Sequence, residues 1–136
     1  MQRQYNGLTS SNPSLRSYKG PTTVKGWYTS GDRKYYLKSS WELAYAKYLD
    51  SELVNGTIKW WEYEPDTFWF ERIKRGVRSY TPDFKVEYLD GKVEYHEVKG
   101  YLDSKSKTKL NRMRIYHPDI VMKLIDRAVM KQLNLL

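Results

Sequence analysis

The sequence contains no cysteine and only two histidines. Disulfide bonds, thiolate catalysis and cysteine-based zinc sites are therefore excluded, and other zinc sites are not expected. No apolar run approaches the roughly 20 residues that a membrane-spanning helix needs, and the first residues lack the apolar centre of a secretory signal. Glycine-rich phosphate loops and internal repeats are missing as well. These absences predict a soluble, cytoplasmic protein that has no membrane partner.

Positive charge, by contrast, is abundant and unevenly distributed. The 136 residues are 40% apolar, which suits one domain with one core, and they include 24 Lys and Arg against 16 Asp and Glu, a formal charge of +8. Residues 1–38 hold seven basic groups and one acid, residues 39–98 hold eight and twelve, and residues 99–116 hold six and one. An acidic middle between basic segments suits a nuclease, because carboxylates can hold a metal while cations hold phosphates. The total charge alone is equally compatible with an ordinary basic surface or with binding to an anionic membrane face.

The pattern of charge and turn residues divides the chain into an arm and a core. Residues 1–38 predict a basic, aromatic-rich N-terminal arm that contains a short hairpin closed near Ser30-Gly31-Asp32. Its aromatic residues could stack on nucleic-acid bases, but we expect them to pack on the domain, while at least some of the cations contact nucleic acid. Residues 39–136 predict the core domain.

The core alternates between helical and strand patterns, which predicts an α/β fold. Ser39 and Glu42 have the spacing of a capping box, so a helix should begin at Ser39 or Ser40 and bury one apolar face. Asp90-Gly91 predicts a tight turn between two strands of alternating apolar and polar residues. The expected elements are that first helix, strands over 57–63, 67–73, 77–80, 84–88 and 93–98, a helix over 104–116, a buried strand over 120–125 and a helix over 127–136. This order predicts a mixed central β-sheet flanked by helices.

Two acids and one lysine should meet at one end of the central hairpin. Asp83, preceded by Pro82, stands near the start of the first strand, and Glu97 stands near the end of its partner. Antiparallel pairing brings both acids to the same end, and Lys99 shares a face with Glu97 because the two are two positions apart. These three residues could also form an ordinary ion pair on the surface, which would contribute only about 0–1 kcal/mol to the stability of the fold. The placement of the acids on both arms of one hairpin favours a functional site.

These residue types suit phosphodiester hydrolysis with a metal. Hard divalent cations prefer oxygen ligands, and they supply both a nucleophilic water and stabilisation of charge on the phosphoryl oxygens. Asp83 and Glu97 could share one Mg²⁺ or Mn²⁺, and the backbone carbonyl of Val98 could complete the protein ligands. Lys99 could position or polarise the attacking water, or neutralise the phosphate in the transition state, and the sequence leaves these roles open.

The two histidines are expected to be structural. His96 alternates with Glu97 along its strand, so its side chain should point to the opposite face. His117 precedes Pro118, where it should end a helix, although it could also polarise a water or contact phosphate.

Pro82-Asp83, a hairpin, and then Glu97-Val98-Lys99 resemble the motif of the PD-(D/E)XK nuclease superfamily. The wider pattern is similar to the bacteriophage endonuclease I family of Holliday-junction resolvases, with Tyr80-Thr81-Pro82-Asp83-Phe84, Glu97-Val98-Lys99-Gly100-Tyr101-Leu102, a basic helix and Tyr116-His117-Pro118-Asp119-Ile120. The nuclease domain of the TnsA-type transposase subunit and the phage head-completion nucleases have a similar layout. The resemblance spans about residues 39–125, and the order and spacing of its short motifs are specific for the superfamily but not for one subfamily.

The resemblance implies a restriction-endonuclease-like core, Mg²⁺ dependence, and catalytic roles for Glu42, Asp83, Glu97 and Lys99, with Glu42 as an additional metal ligand. Glu42 could instead only cap its helix. The resemblance also implies a structure-selective DNA endonuclease that cuts junctions or branched DNA, as a homodimer, in a phage-infected cell. The alternatives are a homing-type or head-completion nuclease, and a non-catalytic nucleic-acid-binding or phage structural protein. The cations expected to contact DNA are Lys19, Lys25, Arg33, Lys34, Lys38, Lys105, Lys107, Lys109 and Arg112.

Overall fold

The structure, a computed structural model, describes residues 25–136. They form two compact units, of which the first reaches Ser51 and the second begins at Glu52, so that the division falls inside a helix. The part of the predicted arm before residue 25, including Lys19, lies outside the described residues. The predicted boundary between an arm and a core at residues 38 and 39 stays a prediction.

A β-hairpin opens the described part of the first unit. Strand β1 (Gly26–Ser30) pairs antiparallel with strand β2 (Arg33–Leu37), and each residue of one lies opposite a residue of the other. The two-residue turn contains Gly31 at φ +62°, a left-handed conformation that glycine adopts without strain. The hairpin predicted near Ser30-Gly31-Asp32 is therefore confirmed.

Helix α1 (Ser40–Asn55) follows and begins as the capping spacing predicts. The Ser39 hydroxyl accepts the Glu42 amide at 3.0 Å, and the Glu42 carboxylate turns back to accept the Lys38 amide at 2.8 Å. The first contact satisfies one of the amides that would have no partner at a bare helix start, and the second ties the helix start to the residue before its cap. The helix residues that are buried are Trp41, Glu42, Leu43, Tyr45, Ala46 and Leu49.

A four-stranded mixed sheet forms the centre of the second unit. The strands of the unit are β3 (Ile58–Tyr63), β4 (Phe68–Trp69), β5 (Ser79–Tyr80), β6 (Phe84–Tyr88), β7 (Val93–Val98) and β8 (Val121–Ile125). The sheet has the order β3-β6-β7-β8, in which β7 and β8 run parallel and the other neighbours antiparallel, while β4 and β5 pair separately. Strands β6 and β7 are the two arms of the predicted central hairpin, and Gly91 in its turn has φ +89°. The mixed α/β class with a central mixed sheet is confirmed.

Helices α2 (Ser104–Tyr116) and α3 (Arg127–Gln132) complete the second unit. Helix α2 has the predicted ends, and it buries Met113 in a core cluster with Phe70 and Tyr80. The side chains packed around this cluster are Phe68, Ile73, Val77, Leu110, Ile120 and Met122. Among the described helices, none is long and apolar enough to cross a membrane.

Four predicted elements differ from those observed. The pair of strands expected between residues 67 and 80 shrinks to two residues each, because a loop that contains Arg72 and Gly76 at positive φ separates them. Strand β8 was expected to be buried, but it is the edge strand of its sheet and only its last residue is fully buried. Helix α3 ends at Gln132 rather than at Leu136.

Candidate active site at the end of the central hairpin

The two predicted acids, Asp83 and Glu97, lie opposite each other at the end of the central hairpin. The register pairs Phe84 with His96, and continuing it by one residue places Asp83 opposite Glu97. The Asp83 carboxylate accepts the Val98 amide at 2.9 Å, and the Glu97 carboxylate accepts the Asp83 amide at 3.2 Å. Each acid therefore binds the backbone of the opposing segment, which fixes the positions of both carboxylates.

The Asp83 side chain lies where the backbone hydrogen bonds between β6 and β7 end. Successive amides of a strand point to opposite sides, and the Lys99 amide donates to the Ile125 carbonyl of β8 at 3.1 Å. The Val98 amide therefore points toward β6, whose first paired residue is Phe84. The Asp83 carboxylate supplies the acceptor that the ladder does not, and a buried amide without one would cost roughly 1–3 kcal/mol.

Tyr80, which was not among the predicted site residues, completes the contacts of Glu97. Its hydroxyl donates to the Glu97 carboxylate at 2.6 Å, and its side chain is 3% exposed. Burial and the negative charge of Glu97 raise the pKa of Tyr80 well above its usual value, so the phenol remains a hydrogen-bond donor. No sequence pattern links these two residues, because Tyr80 belongs to the small β4–β5 sheet and Glu97 to the central one.

Ionisation of Glu97 is less favourable than that of an exposed glutamate. Burial raises the pKa of Glu97, while the Tyr80 hydroxyl, the Asp83 amide and the charges of Lys99 and Lys109 oppose that rise without cancelling it. Among residues 25–136, no lysine, arginine or histidine forms an ion pair with Glu97. Lys109 on α2 instead has its Nζ atom 5.9 Å from the centroid of the Tyr80 ring.

The donor atoms at this site suit a hard divalent cation. Asp83 and Glu97 supply carboxylate oxygens, and Oε2 of Glu97 accepts no hydrogen bond from residues 25–136. Among those residues no group of three or more His, Cys, Asp or Glu is arranged to hold a metal, so a cation here would need water, phosphate or backbone ligands in addition. Magnesium is commonly held in this way, by one or two carboxylates together with substrate phosphates. The Val98 carbonyl stays a predicted ligand.

The other two predicted catalytic residues occupy different surroundings. Glu42 lies on α1 in the first unit, where it is 8% exposed and its carboxylate binds the Lys38 amide. This contact confirms its capping role, while its role as a metal ligand stays a prediction. Lys99 follows directly after β7, is partly buried, and acts electrostatically on both Glu97 and Asp103. Its catalytic role also stays a prediction.

The cations predicted to contact DNA differ in their exposure and in whether they form hydrogen bonds within the protein. Arg33 donates to the Tyr35 hydroxyl at 2.8 Å, on the inner side of its hairpin, and Arg112 donates to the Val77 carbonyl. These two arginines therefore stabilise the structure locally, and their contact with DNA stays a prediction. Lys109 is partly buried beside the site. The members of the set with exposed side chains are Lys25, Lys34, Lys38, Lys105 and Lys107.

Both histidines make internal contacts. His96 is 4% exposed, and its Nε2 atom lies 3.0 Å from Oε1 of Glu94, which shares its face of β7. His117 ends α2, and its Nε2 atom lies 2.8 Å from the Trp69 carbonyl oxygen. The structural interpretation of both residues is supported.

Comparison with known proteins assigns neither a family nor a function to this chain. No protein-family model matches the sequence, and no curated protein is similar to it at a significant level. The functional argument therefore depends on the residues themselves and on their arrangement.

Proposed function

We propose that the protein is a Mg²⁺- or Mn²⁺-dependent nuclease that hydrolyses phosphodiester bonds in DNA. One observation carries the proposal: the Asp83 carboxylate accepts the Val98 amide, the Glu97 carboxylate accepts the Asp83 amide, and Glu97 is held partly buried without an ion-pair partner among residues 25–136. A desolvated carboxylate that the protein does not neutralise is unfavourable, and such groups cluster at functional sites. A bound divalent cation would remove that cost.

The side chains around the two acids have complementary roles in this proposal. A bound cation would supply an activated water and stabilise charge on the phosphoryl oxygens. Tyr80 orients Glu97 by binding its Oε1 atom, which leaves Oε2 as the oxygen available to a ligand. Lys99 and Lys109 bring positive charge close to Glu97, where a phosphate would approach. Lys99 would then orient the water or neutralise the transition state.

The likeness to the PD-(D/E)XK nucleases supports the same assignment and makes a restriction-endonuclease-like core our proposal for the finer fold. The exposed cations Lys105 and Lys107 on α2 suit contacts with the DNA backbone, which carry no sequence information. We therefore expect selection by DNA shape, such as a junction or branch, as in the phage resolvases that the motifs resemble. Symmetric cleavage of two strands would require a homodimer, and a phage-infected cell would be the setting.

The test is the nicking of supercoiled plasmid. The wild-type protein should relax the plasmid with Mg²⁺ but not with EDTA, and Asp83→Asn should abolish the reaction. Asparagine can still accept the Val98 amide through its side-chain oxygen, so the loss would be chemical rather than structural. Asp90→Asn is the matched control, because Asp90 is an exposed acid in the turn of the same hairpin. Nicking that persists in EDTA or in Asp83→Asn would refute the proposal.

The same assay separates the alternatives. Binding of DNA without cleavage at any Mg²⁺ concentration would support a non-catalytic nucleic-acid-binding or phage structural protein. A panel of linear duplex, flap, splayed and four-way substrates would test the preference for branched DNA. Cleavage of one duplex sequence in preference to all others would favour a homing-type enzyme instead.

A further inference from the structure

The outward side of the β1–β2 hairpin combines aromatic and basic side chains. Side chains alternate between the two sides of a strand, and the register places Trp27 opposite Tyr36 and Thr29 opposite Lys34 on the exposed side. Continuing the register past the strand ends adds a further pair of lysines on the same side. The outer hairpin face consists of Lys25, Trp27, Thr29, Lys34, Tyr36 and Lys38, all of which are exposed and none of which is acidic.

The inner side of the hairpin is anchored, which fixes the orientation of the outer hairpin face. The Tyr28 hydroxyl donates to the Asp50 carboxylate of α1, and the Ser30 hydroxyl donates to the other Asp50 oxygen at 2.7 Å. Tyr28 is 4% exposed and Leu37 is completely buried. A shift of one residue in either strand would expose these side chains and bury lysines in their place, so the exposed arrangement is strongly specified.

The two aromatic residues of the outer hairpin face form a pair that remains accessible. Trp27 is 55% exposed and Tyr36 is 44% exposed, and their rings meet edge to face with centroids 5.3 Å apart. In an edge-to-face pair one ring presents only its edge to the other, so flat ring surface remains for a planar ligand. The Nζ atom of Lys34 lies over the Trp27 ring, 5.2 Å from its centroid, which places a cation against one face of the indole. The expectation that the aromatic residues pack on the domain therefore fails for Trp27 and Tyr36.

Flat rings between lysines suit a polyanion that also has planar apolar groups. Unpaired nucleic acid has this chemistry, since its phosphates pair with lysine and its bases stack on aromatic side chains. Bases inside a duplex are already stacked on each other and present only their edges in the grooves, so a stacking surface selects unpaired bases. The lysines at both ends of the aromatic pair allow a strand to be held on either side of a stacked base.

We propose that the outer hairpin face binds unpaired bases of DNA, with a base stacked on the Trp27–Tyr36 pair and its flanking phosphates held by Lys25, Lys34 and Lys38. The choice of DNA as the polymer rests on the proposed nuclease function. The binding itself does not depend on cleavage or on a metal, which allows it to be tested separately.

The test is an affinity measurement in EDTA by fluorescence anisotropy. A labelled oligothymidine of about 12 nucleotides, within the site sizes of known stacking surfaces, is compared with a duplex of equal length. Trp27→Ala in the full chain should weaken binding of the single strand about 5- to 150-fold, as expected for the loss of one stacked base, and should leave duplex binding nearly unchanged. Tyr36→Phe keeps the ring and should bind as the wild type does.

Trp69→Ala is the matched control, because Trp69 is 59% exposed but belongs to the second unit. It should leave the affinity for both oligonucleotides unchanged. Thermal unfolding should show that Trp27→Ala is folded and only slightly less stable than the wild type, because its cross-strand contact with Tyr36 is lost.

Three results would overturn the inference: unchanged single-strand affinity in Trp27→Ala, equal weakening for single strand and duplex, or tighter binding of oligouridine than of oligothymidine by the wild type. A protein that binds oligothymidine through Trp27 but never nicks plasmid would refute the nuclease proposal alone. If the protein nicks plasmid but Trp27→Ala binds the single strand as tightly as the wild type does, this inference alone is refuted.

Discussion

Two glutamates on strand β7, Glu94 and Glu97, have similar partners and opposite electrostatic outcomes. Glu94 accepts the Tyr88 hydroxyl at 2.9 Å, lies 3.0 Å from Nε2 of His96, and has Lys123 at 3.5 Å. Burial by itself would raise the pKa of Glu94, but the hydrogen bonds from His96 and Tyr88 and the charge of Lys123 outweigh it, and the pKa falls below its usual value.

Glu97 also accepts a tyrosine hydroxyl, from Tyr80, yet here burial prevails and the pKa is raised. Burial acts more strongly on Glu97 than on Glu94, and no cation of residues 25–136 lies at ion-pair distance from Glu97 to offset it, since Lys99 and Lys109 act from farther away. The charge of Glu94 is thus balanced within the protein, whereas no cation of residues 25–136 lies at ion-pair distance from Glu97. Along one strand, this contrast separates a structural carboxylate from a candidate catalytic one.

The largest expected difference between the two glutamates is in catalysis. Glu97→Gln should reduce nicking below detection, because glutamine can accept the same two hydrogen bonds but is a poor ligand for Mg²⁺. Glu94→Gln should nick as the wild type does, but its free energy of unfolding should fall by about 1–3 kcal/mol, since its partners lose a charged acceptor. The measurements are the nicking rate and urea unfolding of both variants. Loss of nicking in both folded variants alike would mean that the contrast has no functional meaning.

A second test concerns the lysine that follows β7. Lys99→Ala should lower the nicking rate about 10²- to 10³-fold, which is typical for the removal of one group that stabilises charge in a transition state. DNA affinity in EDTA should change little, because many other cations contribute to it. Lys92→Ala, at the exposed turn of the same hairpin, is the control and should have no effect on the rate. If affinity and rate fell in equal proportion, Lys99 would only bind the DNA backbone.

The tyrosines that contact the two glutamates provide a matched pair of conservative variants. Tyr80→Phe removes the hydroxyl that orients Glu97 and should raise the Mg²⁺ concentration needed for half-maximal nicking about 10- to 100-fold, as for other residues that orient metal ligands. Tyr88→Phe removes the equivalent contact with Glu94 and should lower the free energy of unfolding by about 1 kcal/mol without changing the Mg²⁺ requirement. The same Mg²⁺ requirement in Tyr80→Phe and the wild type would exclude a positioning role for Tyr80.

The parts of the fold that could be predicted from sequence are those set by local chemistry. The capping spacing of Ser39 and Glu42 and the glycine of Asp90-Gly91 act within a few residues, and the structure has the helix start and the hairpin where these signals place them. The hairpin register then brings Asp83 and Glu97 together, as expected from the order of the motifs.

What could not be predicted depends on contacts between distant segments. Tyr80 meets Glu97 only because a second, two-stranded sheet packs beside the central one, and nothing near Tyr80 in the sequence signals that contact. The sequence shows that Trp27 and Tyr28 are neighbours on a strand, but the contacts of Tyr28 and Ser30 with Asp50, which turn Tyr28 inward, join segments about 20 residues apart. The aromatic residues of the arm were therefore assigned to the wrong side in part.

The smallest expected effect is on the pH dependence of stability, where His96 and Glu97 should act with opposite signs. Burial lowers the pKa of His96, against the opposing charge of Glu94. The unfolded chain therefore binds the histidine proton more readily than the folded one. The contribution of His96 to the free energy of unfolding is complete above about pH 6.5 and is lost as the pH falls from there toward the lowered pKa. Burial raises the pKa of Glu97, so its contribution is largest below the usual glutamate pKa and is lost as the pH rises toward the raised one.

Urea unfolding in EDTA at a series of pH values would measure both slopes, each at most about 1.4 kcal/mol per pH unit for one proton. His96→Gln should remove the part of the acid-side loss that begins near pH 6.5, while the loss at lower pH from carboxylates with lowered pKa values, such as Glu94, should remain. Glu97→Gln should remove the loss that accompanies rising pH. An unchanged slope in either variant would show that its group titrates alike in the folded and unfolded chain. Opposite slopes from adjacent residues would show, without any assay of activity, that burial disfavours the charged form of each group, the protonated form of His96 and the ionised form of Glu97.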